Sequence, residues 1–291
     1  MNADSESEWV ASFERARPAL LGMAYRMLGI RADAEDVVQD VFLRWAAVDR
    51  TTIRDPAAWL MKVCSRRSID TLRSAARSRT DYVGPWLPEP IASGWVQEDR
   101  ELCYALETAF LLLLERVSPK ERAAFLLHDV FGLPHAEVAP ILGVTVEASR
   151  KLASRAKHNV ASERKSHAPS TDRQRVLLAA FEDAILTDDT ATLSTLLADD
   201  VRLVADGGGK ASALREPLHG RTPVLDYLVE ARGWWRDYRW SREWTATGPG
   251  VALLRGDAVV ARIWLEAAAG SLVSSIYVLR NPDKLRPADT H

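Results

Sequence analysis

The sequence predicts a multidomain fold class, two all-α helical modules followed by an α+β module, and three observations carry this. Apolar residues recur at helical spacing across residues 9–79 and again across 97–160. Between these stretches, DYVGPWLPEPIAS at residues 81–93 holds Gly84, Pro85, Pro88 and Pro90, which cannot continue a helix. After Asp200 the apolar period changes from about 3.6 to about 2, with a tight turn at Gly256-Asp257 and a break at Gly270. Strands are expected at 201–205, 238–247, 251–254, 258–265 and 272–279, after helices at 172–186 and 190–197, with a further helix at 223–232. No internal repeat of fixed period is present.

A chain of 291 residues can bury a core in each of several domains. With 47% hydrophobic and 27% charged residues it reads as globular rather than disordered. The formal net charge of -2 argues at first against nucleic acid, but the charge is segregated. Residues 62–79 hold six cations (Lys62, Arg66, Arg67, Arg73, Arg77, Arg79) against Asp70, and residues 150–165 hold six against Glu163. Local charge decides where a phosphate backbone is drawn, although solvated helix faces are commonly basic too. The acidic start, MNADSESEW, is unlike a signal peptide, and no apolar run reaches the roughly 18 residues of a membrane span, so a cytoplasmic protein with no membrane partner is expected. Cys64 and Cys103 stand apart from any metal-site spacing, and His128 and His135 read as ordinary helix and turn residues. No metal or cofactor is expected.

In the first helical block, Ala34, Val37, Val38, Val41, Phe42 and Trp45 form one apolar stripe, leaving Asp33, Glu35, Asp36, Gln39, Asp40 and Arg44 outside. Next comes RDPAAWLMKVCSRRSIDTLR, in which Asp55 can cap a helix and Pro56 suits its first position. Trp59 and the following Lys62, Arg66, Arg67, Asp70 and Arg73 can track phosphates and stack on an exposed base; core packing of Trp59 is the other reading. The run DAEDVVQDVFLRW with DPAAWLMKVCSRRSIDTLR resembles region two of the extracytoplasmic-function (ECF) sigma factors. The resemblance implies docking on core RNA polymerase, on its β′ clamp helices, through Asp33, Glu35, Asp36, Gln39 and Asp40, with the β subunit as a further partner. It implies recognition and melting of the minus-10 promoter DNA by Trp59, Lys62, Arg66, Arg67, Asp70 and Arg73.

In the second block, Ser118, Pro119 and Glu121 give a capped helix start whose apolar side is Ala124, Phe125, Leu127 and Val130, stopped at Gly132. A short helix from His135 to Leu142 meets Gly143, which can take the positive φ of a tight turn. Thr145 caps the next helix, with Ala148, Leu152, Ala156 and Val160 expected inward. A basic second helix after a glycine turn is the layout of a helix-turn-helix. Glu147, Ser149, Arg150 and Lys151 are the expected base readers, and Arg155 and Lys157 the phosphate contacts. The stretch resembles region four of the same family, the reader of the minus-35 element. Pro140, inside the first helix of the motif, departs from an unbroken helix.

The third module resembles the SnoaL-like fold, a curved sheet wrapped on helices around a cone-shaped cavity. Trp234, Trp235, Tyr238, Trp240, Trp244 and Trp264 either line that cavity or pack as core. Asp206 and His219 are the sparse acid–base candidates, and no catalytic role is expected. Three short motifs resemble those of sigma factors with a SnoaL-like extension: Trp86, Leu87, Pro88, Glu89 and Pro90; Asp206, Gly207, Gly208, Gly209 and Lys210; and Asn281, Pro282, Asp283, Lys284 and Leu285. The resemblance implies regulation from within the chain without a separate anti-sigma protein, the Pro-rich strip lying against the third module with Lys210 or Lys284 near Glu89. The expected domains are region two at 9–80, a linker at 81–96, region four at 97–165 and the SnoaL-like domain at 172–285. The rival reading is a polymerase-independent helix-turn-helix regulator with a ligand-sensing C-terminal domain.

Overall fold

The computed structural model describes residues 3–79, 83–90, 111, 114, 117–161, 171–245, 248–267 and 272–285, so Cys103 and residues 91–96 of the expected linker lie outside the described residues. The chain forms two compact units, residues 1–80 with 93–163, and residues 81–92 with 164–291. The Pro-rich strip therefore groups with the third module.

In the first unit, α1 (Ala3–Leu28) ends at Gly29, whose φ of 72° and N–H to the Tyr25 carbonyl at 2.7 Å form a left-handed stop. Helix α2 (Arg31–Ala47) buries Ala34, Val37, Val38, Val41 and Trp45, the expected stripe. Trp45 and Trp9 stack with centroids 3.6 Å apart, and each indole N–H donates to the other residue's carbonyl, at 3.0 and 3.1 Å. This satisfies two polar groups inside an aromatic contact. Helix α3 (Pro56–Arg79) starts as expected, with the Asp55 carboxylate accepting from the Ala58 N–H at 3.0 Å. Cys64 is buried in α3 and its thiol is pushed up to about 12 by loss of water, which leaves it an inert packing residue.

Helix α4 (Pro119–Phe125) opens on a complete capping box between Ser118 and Glu121. It does not run on as α-helix to Gly132. A π-helical turn, Leu126–Val130, intervenes, and Gly132 then leaves the helix with φ 70°. Helix α5 (His135–Leu142) and helix α6 (Val146–Ala161) flank Gly143, whose φ is 63°. Because α5 begins at His135, Pro140 falls after the first turn and the helix ends two residues later. Arg122, only 2% exposed, donates to the Leu114 carbonyl at 2.8 Å and the Met27 carbonyl at 2.6 Å, tying α4 to the last turn of α1.

In the second unit, α7 (Thr171–Leu186), α8 (Thr190–Leu196) and α9 (Arg221–Trp235) pack on one mixed sheet of β1 (Leu197–Asp206), β2 (Leu218–His219), β3 (Arg239–Thr245), β4 (Gly248–Arg255), β5 (Ala258–Ala267) and β6 (Val273–Leu279). Its order is β2-β1-β6-β5-β4-β3, with β1 and β6 parallel and every other neighbouring pair antiparallel. The change of period after Asp200 thus marks a real sheet, and only the two-residue β2 escapes a pattern argument. Leu203, Ala205, Val251, Leu253, Ile263, Ile276 and Val278 meet Phe181, Ile185, Val224 and Leu228 in its core. Each large side chain removed from water there contributes about 1.5–3 kcal/mol.

The tryptophans do not share one role. Trp235 is core with Tyr238 and Trp240 packed against it, while Trp234 is 50% exposed. Strand alternation puts Trp264 on the face opposite Ile263 and Leu265, stacked on its cross-strand partner Tyr277 at 5.7 Å. The Trp244 side chain lies outside the described residues.

Candidate functional site

On α2, Glu35, Asp36 and Gln39 are exposed and Asp33 and Asp40 half-exposed, so the acidic face exists as expected. Within the unit, Glu35 pairs with Arg31 at 2.8 Å and Asp40 with Arg67 of α3. Leu43 also stands there, 59% exposed. It follows Gln39 by four residues and Asp40 by three, the spacing of one helix face, which is the signal that could have found it.

On α3, Trp59 is half-buried, its ring 5.4 Å from that of Trp45, so core contact accounts for part of it. Lys62 is half-buried, and Asp70 and Arg73 form a loose exposed pair at 3.9 Å. Two of the expected phosphate-tracking arginines have partners inside the unit. Arg67 holds Asp40, and Arg66 donates to the Ile141 and Pro140 carbonyls at 2.9 and 2.8 Å. Those carbonyls belong to the last turn of α5, where helical acceptors lack partners and a cation is favoured. In this arrangement Arg66, itself exposed, caps the C-terminal turn of α5 through two of its three guanidinium nitrogens.

On α6, the Thr145 hydroxyl accepts from the Ala148 N–H at 3.1 Å, the expected cap. Ser149 is a further correction. It is 0% exposed, lies inward with Ala153 and Ala156, and shares a hydrogen bond with His135 Nδ1 at 3.0 Å, so it cannot meet a base edge. The inward face is turned by about one residue from the expected stripe, and Ala148 and Leu152 are only half-buried. Glu147, Arg150, Lys151, Arg155 and Lys157 remain exposed, with Lys151 on Glu147 at 2.7 Å, Arg155 on Glu121 at 3.5 Å and Lys157 on Asp129 at 3.0 Å. Val146, 37% exposed, opens the same helix.

The three short motifs of the second unit meet at one place. Asp206 ends β1 fully buried, and its carboxylate accepts from the Leu87 N–H at 2.9 Å, the Lys284 ammonium at 2.7 Å and the Gly208 N–H at 3.0 Å. Lys284, 4% exposed, also donates to the Leu87 carbonyl at 2.7 Å and lies 4.3 Å from the centre of the Trp86 ring. Leu87 is fully buried, and Pro88 and Pro90 are buried beside a half-buried Glu89.

The glycines are required by this packing. A Cβ on Gly207 would stand 2.3 Å from the Ala211 carbonyl oxygen, and one on Gly208, whose φ is 59°, 2.4 Å from the Asn281 carboxamide. Asn281 is itself buried; its N–H donates to the Asp206 carbonyl at 2.9 Å and its carboxamide oxygen accepts from the Asp283 N–H at 3.1 Å. Lys210 pairs on the surface with Asp283 at 2.6 Å, Gly209 packs by Val83, Pro282 opens the closing turn, and Leu285 ends it buried. Lys284, expected near Glu89, pairs with the Asp206 carboxylate.

His219 is exposed on β2, and Asp206 closes this latch. Among the described residues no cluster of metal ligands occurs, and no helix is long and apolar enough to cross a membrane.

The helical blocks match two family models, Sigma-70 region 2 over residues 13–78 and Sigma-70, region 4 over residues 107–159. The chain is 39% identical over 225 residues to the ECF RNA polymerase sigma factor SigJ of Mycobacterium tuberculosis, covering 76% of this chain and 72% of that protein. It is 33% identical over 191 residues to the probable ECF RNA polymerase sigma factor SigI of the same organism, covering 64% of this chain and 66% of that one. The crystal structure of Mycobacterium tuberculosis SigJ superposes with a TM-score of 0.73 at 31% identity, covering 94% of this chain and 97% of the other. These matches disfavour the polymerase-independent regulator. With helical modules matching regions two and four, in that order, ahead of an α+β module, the chain belongs to the ECF RNA polymerase sigma factors.

Proposed function

We propose that this sigma factor docks on the β′ clamp helices of core RNA polymerase through the α2 face, with Leu43 as an apolar contact among Asp33, Glu35, Asp36, Gln39 and Asp40. Helix α3 then serves the minus-10 element through Trp59, Lys62, Arg66, Arg67, Asp70 and Arg73, and α6 reads the minus-35 element through Glu147, Arg150 and Lys151, with Thr145 as cap and Arg155 and Lys157 on phosphates. The exposed Lys151–Glu147 pair of α6 is weak enough to be exchanged for a phosphate contact. Arg66 and Arg67 reach DNA by giving up their contacts with α5 and α2.

The third module acts as the regulatory part and carries no catalysis. The observation supporting this is the Asp206 carboxylate, which joins all three motifs by accepting from Leu87 of the strip and Lys284 of the closing turn. In sequence the strip lies between regions two and four, so a latch on it limits how the chain can present them. This supplies control in cis with no separate anti-sigma protein. The test is reconstitution with core polymerase and transcription from promoter DNA upstream of the chain's own coding sequence. The full chain directs initiation there, and truncation after His167 or deletion of residues 281–285 changes the output. No initiation by the full chain contradicts the polymerase reading; unchanged output after both deletions contradicts the regulatory one.

A further inference from the structure

Ser149 is fully buried near the start of a recognition helix, where a serine adds little packing. Its hydroxyl meets His135 Nδ1 at 3.0 Å, and His135 is the first residue of α5. The bond therefore cross-links the start of the first helix of the motif to the second turn of α6. His135 in turn stacks on His128, centroids 3.8 Å apart and planes at 28°. His128 Nδ1 lies 2.8 Å from the Leu133 carbonyl, an oxygen that can only accept, so Nδ1 carries the proton. One chain of contacts thus runs from the Leu133 carbonyl through two imidazoles to the recognition helix.

We infer that His128, His135 and Ser149 form a positioning staple that sets the angle of α6 for minus-35 reading, and that protonating His135 loosens it. This rests on the reading of α6 as the minus-35 helix. A positive charge on His135 would sit 3.8 Å from the His128 ring and within the field of Arg150, which disfavours the stacked arrangement. The surrounding charges are Arg150 on α6, which opposes a proton, and Asp129 on the π-helical turn, which favours one while also holding Lys157. Partial burial, then His128, then Arg150 hold His135 below the ordinary histidine range. The sign follows from that direction. The arrangement is fully stable above the ordinary value of about 6.5 and loses stability as pH falls from there through the depressed value.

Acid also makes a protein more attractive to any phosphate backbone, so affinity alone misleads. The readout is a ratio, holoenzyme affinity for a duplex that it selects from a pool randomised over the minus-35 positions, divided by that for the same duplex scrambled there. Between pH 7.5 and 5.5 the wild-type ratio falls about fivefold. His135→Asn, which can bond Ser149 but cannot be protonated, keeps the neutral-pH ratio and flattens the profile. His128→Phe, which keeps a ring in the stack without a titrating nitrogen, flattens it as well, and Ser149→Ala lowers the ratio at every pH. A flat wild-type profile, or both histidine variants keeping the wild-type slope, overturns the staple while leaving the role of α6 intact. Selection of no minus-35 sequence by the wild type overturns that role and the staple with it.

Discussion

Lys151 and Lys284 each meet a carboxylate at 2.7 Å, and the two pairs have opposite physical meaning. Lys151 and Glu147 lie one turn apart on α6 with side chains 67% and 74% exposed. Water screens them and either partner can leave at little cost, which suits the proposed exchange of the cation for a phosphate. Lys284 and Asp206 come from positions 78 residues apart and are 4% and 0% exposed. Here each charge has lost its water and is held by the other, by the Leu87 peptide group and by the Trp86 ring. Removing one partner strands the other, so this pair sets a geometry where the first offers an exchangeable contact.

The largest expected effect comes from breaking the buried pair. Lys284→Met leaves the Asp206 carboxylate buried without its cation and should destabilise the second unit by about 3–5 kcal/mol, read by denaturant unfolding followed by circular dichroism. The double variant Asp206→Asn with Lys284→Met should recover part of that loss; a double variant no better than the single would mean that the charges are not coupled.

Next in size is Gly208→Ala. It combines a φ of 59° with a Cβ pressed against Asn281, and should cost about 1–3 kcal/mol. Gly256→Ala, also at positive φ but with nothing within 4 Å, should cost less, about 1 kcal/mol. Equal losses at the two glycines, measured as shifts in unfolding midpoint, would mean that the Asn281 contact contributes nothing.

Much of this was legible in the chain because it is local. The α2 stripe, Asp55 with Pro56, the Ser118–Glu121 box, Gly143 and Thr145 are each decided within a few residues by periodicity, capping or positive φ. Ser149 was misread because the buried side of α6 is chosen by what α5 packs against it, and one residue of helical phase turns a base reader into an interior hydroxyl. Arg66 and Arg122 reach carbonyls 75 and 95 residues away, and nothing in a local pattern marks a peptide oxygen as an acceptor. The three motifs of the latch were visible as motifs, but that Asp206 joins them required the end of β1 to be placed beside the turn after β6.

The smallest expected effect is at the exposed pair. Glu147→Ala should change stability by no more than about 0.5 kcal/mol, within the range of exposed i,i+4 pairs, while leaving Lys151 free for phosphate. The check is a thermal melt beside the salt dependence of promoter binding. A loss above about 1 kcal/mol would make the exposed pair structural and erase the contrast with Lys284.

The most direct test of the account is run-off transcription by core RNA polymerase with wild-type or Lys284→Met chain, at concentrations giving equal polymerase occupancy, on promoter DNA from the chain's own upstream region. The account predicts specific initiation by the wild type and an output changed severalfold by the variant. Initiation at equal rates by both chains, with the variant's latch shown to be open by fast hydrogen exchange at the Leu87 amide, would contradict it.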